Sequence, residues 1–369
     1  MEFAGHVLAE KAQTLPRAYY VSPEIFAAER ERIFAGRWIC LGRADELPQP
    51  GDYALADVAG ESLIVVRQPG GALAAFFNVC RHRGTRLCEQ AAGRFTRAIV
   101  CPYHAWSYGL DGALIGAPNM SDVPWFDRKS YPLHAAASGL WEGFLFVNLS
   151  ERPEPLEEAL RPLEDRVAPW RLASLWTARR VEYAVRANWK LVFQNFSECY
   201  HCPPVHPALA RLSDSRSGAN DRREGPILGG YMRINREGGS LTGSGNLCGA
   251  PLGPLSAEDR GRAYYYSVFP GLFLTLQPDF VMSTRVSPRA PDRTRVVCEW
   301  HFAPETRTAG GLDPSDGVAL WDETNRQDWR VCELAQQGVS SRAYTPGIYS
   351  TQESLLAAFD REYLRSLEP

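Results

Sequence analysis

The chain has little histidine, no long apolar run and almost no net charge. Only seven of its 369 residues are histidine, so each one that falls in a motif carries information. A formal charge of −3 leaves no basic footprint for nucleic acid or an anionic membrane, and neither partner is expected. No stretch approaches eighteen apolar residues, and the first twenty lack a basic segment followed by an apolar one, so neither a membrane span nor a secretory signal is expected. Nine cysteines, an odd number in a long chain, do not read as a disulfide framework, which points to a reducing cytoplasm. Gly243-Ser244-Gly245 follows no clear strand and lacks the G-x-G-x-x-G spacing, so no flavin or nicotinamide site is expected within the chain. There is no internal repeat and no low-complexity segment.

Four of the seven histidines lie in two short segments. The first pairs Cys80-Arg81-His82 with Cys101-Pro102-Tyr103-His104. Zinc also accepts two Cys and two His, but its fingers take both cysteines from one block and both histidines from another. Here each half-site gives one of each, the donor set of a Rieske [2Fe–2S] cluster. Thiolates hold one iron and neutral imidazoles the other, at a potential of about −150 to +300 mV. Such a centre relays electrons.

The second segment runs from Asn188-Trp189-Lys190 to Glu198-Cys199-Tyr200-His201 and on to His206. On an unbroken helix His201 and His206 would lie about 140° apart. Pro203-Pro204 is expected to interrupt the helix and turn His206 back towards His201. A third ligand comes from the helix around Asp328, where Trp321, Val331, Cys332 and Ala335 fall within about 60° of it and Asp322, Glu323 and Glu333 beyond about 100°. A carboxylate on an apolar face needs a partner, either a metal ion or a buried arginine. Two histidines and a carboxylate with open positions form the facial triad of non-haem Fe(II) oxygenases.

Around these motifs, Ser22-Pro23 opens a short leading helix that Gly36 ends. Residues from Trp38 to Asn148 read as hairpins, and Pro153 and Pro155 mark a boundary. Beyond it a helix over 188–200 precedes three strands between Tyr264 and Phe302, broken at Gln277-Pro278-Asp279 and Ala290-Pro291-Asp292-Arg293. A helix over Leu320–Ser340 follows, then a last one opened by the capping box Ser350-x-x-Glu353. The mixture is α+β. Cys199 and Cys202 are expected to be core thiols rather than a redox pair.

In this order the motifs resemble the catalytic α subunit of Rieske non-haem iron oxygenases, over nearly the whole chain. The resemblance implies a leading helical segment (1–37) packed on a catalytic domain (153–369), with an all-β Rieske domain (38–152) between them. The catalytic domain would be a curved antiparallel sheet with flanking helices. It implies that Cys80, His82, Cys101 and His104 bind the cluster and that His201, His206 and Asp328 bind mononuclear Fe(II). It also implies O2 as co-substrate, NAD(P)H electrons and flavin only through a separate reductase, with or without its own ferredoxin domain, and a head-to-tail homotrimer. Glu198 would bridge the two metal sites across the subunit interface, and Asp328-x7-Gln336 would be the late ligand segment.

The wording Glu198-Cys199-Tyr200-His201-Cys202 is similar to the branch that oxidises quaternary ammonium compounds such as choline, carnitine, glycine betaine or stachydrine. Gln277 and Ser287 depart from that pattern. The resemblance therefore implies hydroxylation of a small organic substrate, by N-demethylation in that branch. The alternatives are hydroxylation or O-demethylation of an aromatic acid and, in another class, a pure electron-transfer Rieske protein. A methylammonium pocket should offer aromatic faces. Tyr264, Tyr266, Phe273, Phe280, Trp300 and Phe302 are the candidates, although strand alternation lets only some point inward.

Overall fold

The computed structural model describes residues 11–308 and 310–368. The part of the leading segment that falls on residues 1–10 lies outside them. Residues 30–159 form one compact unit, and the described residues up to Glu29 with those from 160 onward form the other.

The 30–159 unit is built from short strands: β1 (Ile39–Arg43), β2 (Asp52–Val58), β3 (Glu61–Arg67), β4 (Leu73–Phe77), β5 (Ala92–Arg94), β6 (Ile99–Val100), β7 (Ser107–Tyr108), β8 (Leu114–Gly116), β9 (Ala135–Trp141) and β10 (Phe144–Asn148). Seven form an antiparallel sheet in the order β1-β10-β9-β4-β3-β2-β5, and β6-β7-β8 form a smaller one. Ala59-Gly60 closes the β2–β3 hairpin with both φ angles positive, the turn whose twist matches the strands it joins. Leu63 and Val65 of β3 pack into one apolar cluster while Ile64 and Val66 pack into the other. Burial on both faces explains the unbroken apolar run. The second cluster carries Cys80 and Cys101.

In the other unit, β11 (Trp176–Val185), β12 (Ala219–Arg222), β13 (Ile227–Arg233), β14 (Arg262–Val268), β15 (Leu272–Leu276), β16 (Phe280–Ala290) and β17 (Arg293–Phe302) make an antiparallel sheet in the order β11-β17-β16-β15-β14-β13-β12. Four strands, not three, lie between Tyr264 and Phe302. The missed break is Phe269-Pro270-Gly271, where Pro270 has no N–H to donate to the ladder.

The helices are α1 (Ala18–Val21), α2 (Pro23–Glu29), α3 (Leu156–Val167), α4 (Trp189–Phe196), α5 (Cys202–Val205), α6 (Pro207–Leu212), α7 (Ala257–Arg260), α8 (Pro314–Val339) and α9 (Ser354–Leu367). Ser22 caps α2 by accepting from the N–H groups of Glu24 and Ile25, as its sequence predicts, but Arg30–Phe34 continues as a π turn. The Ser350/Glu353 box forms and opens a 3-10 turn ahead of α9.

Helix α4 is fixed at its start. Asn188 caps it through Lys190 N–H, and Asn188 N–H donates to Gln336 Oε1 of α8 at 2.8 Å. Trp189 and Phe193 pack on Phe269 and Phe359. Burial of rings of this size is worth about 1.5–3 kcal/mol each. Between the rings lies a buried ion pair, Lys190 with Glu29. The Glu29 carboxylate also accepts from Tyr363 Oη (2.6 Å) and Trp189 Nε1 (2.8 Å). Burial pulls the Lys190 ammonium down to about 8 against the attraction of Glu29.

Candidate metal centres and substrate cavity

The two Cys/His loops have the same backbone construction. Cys80 N–H donates to Thr85 O (2.8 Å) and Gly84 N–H returns to Cys80 O (3.0 Å); Cys101 N–H donates to Trp106 O (2.8 Å) and Ala105 N–H returns to Cys101 O (3.1 Å). The fifth residue of each loop is left-handed, Gly84 at φ 71° and Ala105 at φ 56°. Glycine takes that conformation freely, whereas alanine is held there at a cost.

Both thiols are buried and outside any disulfide, and the His82 and His104 rings meet edge to face with centroids 4.8 Å apart. His82 stacks on Trp106 at 4.8 Å. Burial, then the neighbouring His104 and Arg83, hold His82 below its usual range and keep it neutral, as a ligand must be. His104 Nδ1 is a buried nitrogen with no hydrogen-bond partner. An orphaned imidazole nitrogen beside two buried thiols fits a [2Fe–2S] cluster bound by two thiolates and two imidazoles. Tyr108 Oη lies 3.3 Å from Cys80 Sγ and accepts from Arg81 N–H, so the first thiol also has a hydroxyl neighbour.

His201, His206 and Asp328 come together in the other unit, with one potential ligand atom from each within 4.8 Å of the others. Asp328 Oδ1 lies 3.1 Å from His201 Nε2 and 2.9 Å from His206 Nε2. Its partners are imidazoles, not an arginine. Burial pushes the Asp328 carboxyl up, but the hydrogen bonds from both rings hold it below the usual carboxylate range. Burial likewise disfavours a charge on His201, and Asp328 and Glu198 outweigh it, raising His201 to about 10. Two imidazoles and a carboxylate on one side, with a cavity on the other, suit a hard divalent iron with open positions.

The prolines act differently from the expectation. Helix α4 already ends at Phe196, and Pro203 and Pro204 occupy the first turn of α5, where their missing N–H groups cost little. His206 is the single residue between α5 and α6. Trp321 and Cys332 are buried on the Asp328 face of α8, as the helical wheel requires. Glu198 accepts from the backbone N–H groups of Tyr200 and His201, and its Oε1 lies 2.5 Å from His201 Nδ1. Cys199 and Cys202 are joined in a disulfide, not held as separate core thiols. Their three-residue separation across the turn brings the two side chains together.

The cavity beside these groups is lined by Phe196, Tyr231, Tyr265, Trp321 and Trp329 among others, and among the described residues none that lines it is lysine or arginine. None of the six expected aromatics is among them. Tyr264 and Tyr266 flank Tyr265 on its strand and so take the opposite face, where they hydrogen-bond Asp259 and Asp221. Phe273 lies behind Phe196, stacked at 4.2 Å, and Phe280 stacks on Phe302 at 5.4 Å in the core. Trp300 is fully buried. The signal for the rings that do line the cavity was partly present: Trp321 and Trp329 sit seven residues before and one after Asp328.

Comparison with known proteins gives two family matches, a Rieske [2Fe-2S] domain over residues 37–127 and the ring hydroxylating alpha subunit (catalytic domain) over 172–368. The chain is 33% identical to the glycine betaine monooxygenase oxygenase subunit of Chromohalobacter salexigens, with 91% of this chain and 82% of the relative covered. It is 36% identical to the carnitine monooxygenase oxygenase subunit of Escherichia coli, covering 91% and 86% respectively. Among solved structures it is similar to the quaternary ammonium Rieske monooxygenase CntA in complex with L-carnitine, at a TM-score of 0.79 and 26% identity over 99% of this chain and 97% of that one.

Proposed function

The chain belongs to the Rieske non-haem iron oxygenases, as their catalytic alpha subunit, and from that premise we propose that it N-demethylates a quaternary ammonium compound such as glycine betaine or stachydrine. The observation that carries the reading is the cavity wall: aromatic rings with no lysine or arginine among the described lining residues. A methylammonium group cannot be hydrogen-bonded, but each aromatic face attracts it by roughly 0.5–2 kcal/mol. A betaine carries its own counter-charge, with ammonium beside carboxylate, whereas an aromatic acid would bring an uncompensated carboxylate to a wall whose described residues include no lysine or arginine. The relatives named for glycine betaine and carnitine support the same substrate class.

In this reading Cys80, His82, Cys101 and His104 hold the cluster, and His201, His206 and Asp328 hold the iron. Bound there, the two groups supply electron relay and the activation of O2 against a C–H bond. The chain's own residues do the rest. The aromatic wall seats the ammonium and excludes water. Asp328, kept ionised by the two imidazoles, supplies the negative charge of the iron site. One N-methyl group, O2, two electrons and two protons give an N–CH2OH group and water. The C–N bond then breaks with its electron pair going to nitrogen, releasing tertiary amine, formaldehyde and a proton.

Electrons come from NAD(P)H through a separate reductase, and the enzyme works in the cytoplasm as a homotrimer. Glu198 then accepts from His201 and from the His104 of a neighbouring copy, fixing both rings. Substrate-dependent O2 uptake with formaldehyde release tests the proposal.

A further inference from the structure

His206 is held at both ring nitrogens by consecutive residues of one helix. Its Nε2 lies 2.9 Å from Asp328 Oδ1, and its Nδ1 lies 2.7 Å from Gln327 Oε1. The Gln327 amide is fixed in turn: its Nε2 donates to Glu323 Oε1 at 3.2 Å, one helical turn back on α8. An ionised carboxylate only accepts, so Glu323 takes the NH2 end and leaves the amide oxygen facing the imidazole. With Nδ1–H engaged in this way, the ring would present Nε2, the nitrogen that donates to Asp328 Oδ1 here, to a bound metal ion. Backbone geometry alone would not fix the ring, because His206 lies between two short helices in a non-helical conformation (φ −119°, ψ 65°).

We infer that Gln327 is a positioning residue for the second imidazole of the iron site, with Glu323 setting the orientation of its amide. The two imidazoles thus have unlike supports, a carboxylate (Glu198) for His201 and a neutral amide for His206. A group that orients a metal-bound histidine typically contributes 10–100-fold in metal affinity. The inference rests on the reading of His206 as an iron ligand.

The test is anaerobic competition for Fe(II) between the holoenzyme and a chromophoric chelator, with cluster absorbance as the control for folding. Gln327→Met keeps the side-chain length without the acceptor and should weaken iron binding about 10–100-fold and shift the ligand-field bands of the ferrous site. The double variant Gln327→Glu with Glu323→Gln keeps an acceptor towards His206 and a donor at 323 to hold it, and should recover both. Glu323→Ala changes only an exposed side chain and should weaken binding in the same direction, which keeps the test alive if Gln327→Met does not fold. Wild-type affinity in both Gln327→Met and Glu323→Ala would overturn the inference, as would equal losses in Gln327→Met and in the double variant. His206→Ala separates the two claims: if it keeps its iron, the ligand reading fails; if it loses iron while Gln327→Met does not, only the positioning role fails.

Discussion

Glu198 Oε1 lies 2.5 Å from His201 Nδ1, on the edge of the imidazole opposite the one facing Asp328. One ring therefore stands between two carboxylates of different function in the proposed mechanism. Glu198→Gln should keep about three irons per chain and reduce its cluster normally, yet lose coupled turnover by about 10–100-fold, the usual scale for a group that supports a metal-bound histidine. Asp328→Ala should instead fall to about two irons, because only the mononuclear site loses a ligand. Iron and acid-labile sulfide analysis beside rapid-mixing reduction separates the two. Normal turnover in Glu198→Gln would remove the bridge from the mechanism.

Iron binding should strengthen with pH. In the metal-free site the two carboxylates raise His201 to about 10, so the ring holds a proton throughout the neutral range. Iron needs the neutral imidazole and must displace that proton. Because the folded-state pKa lies above the working range, the competition weakens as pH rises, and affinity should increase by up to about tenfold per unit between roughly pH 7 and 9. Chelator competition across that range checks the slope. A flat profile would mean that His201 is already neutral before iron arrives.

Glu29→Gln should destabilise the catalytic unit by about 3–5 kcal/mol, because it leaves the buried Lys190 ammonium without its counter-charge. The thermal midpoint measures this. Replacing Glu29 and Lys190 together by apolar residues should recover only part of the loss, since it removes the unpaired charge but leaves Tyr363 Oη and Trp189 Nε1 without the carboxylate they donate to.

The candidate metal segments could be picked out because their spacing is local. Both Cys/His loops complete their hydrogen bonding within six residues, and Asp328 could be assigned to a face by counting along one helix. The cavity wall was not legible. Which of Tyr264, Tyr265 and Tyr266 faces inward is set by the register of β14 against β15, and the turn that fixes it, Phe269-Pro270-Gly271, lies inside an otherwise continuous apolar run. Gln327 was invisible for another reason: its partner His206 is 121 residues away, and an amide on a half-exposed helical face has no distinctive spacing. Two cysteines three residues apart read the same as thiols or as a disulfide, so the Cys199–Cys202 bond needed coordinates.

The most direct test of the proposed reaction is O2 uptake by the reconstituted oxygenase and its reductase, with formaldehyde assayed in the same reaction. Glycine betaine, stachydrine, carnitine and choline are compared with benzoate and vanillate. The account predicts uptake matched mole for mole by formaldehyde with at least one of the quaternary amines and none coupled to the aromatic acids. Coupled uptake with an aromatic acid alone would contradict it.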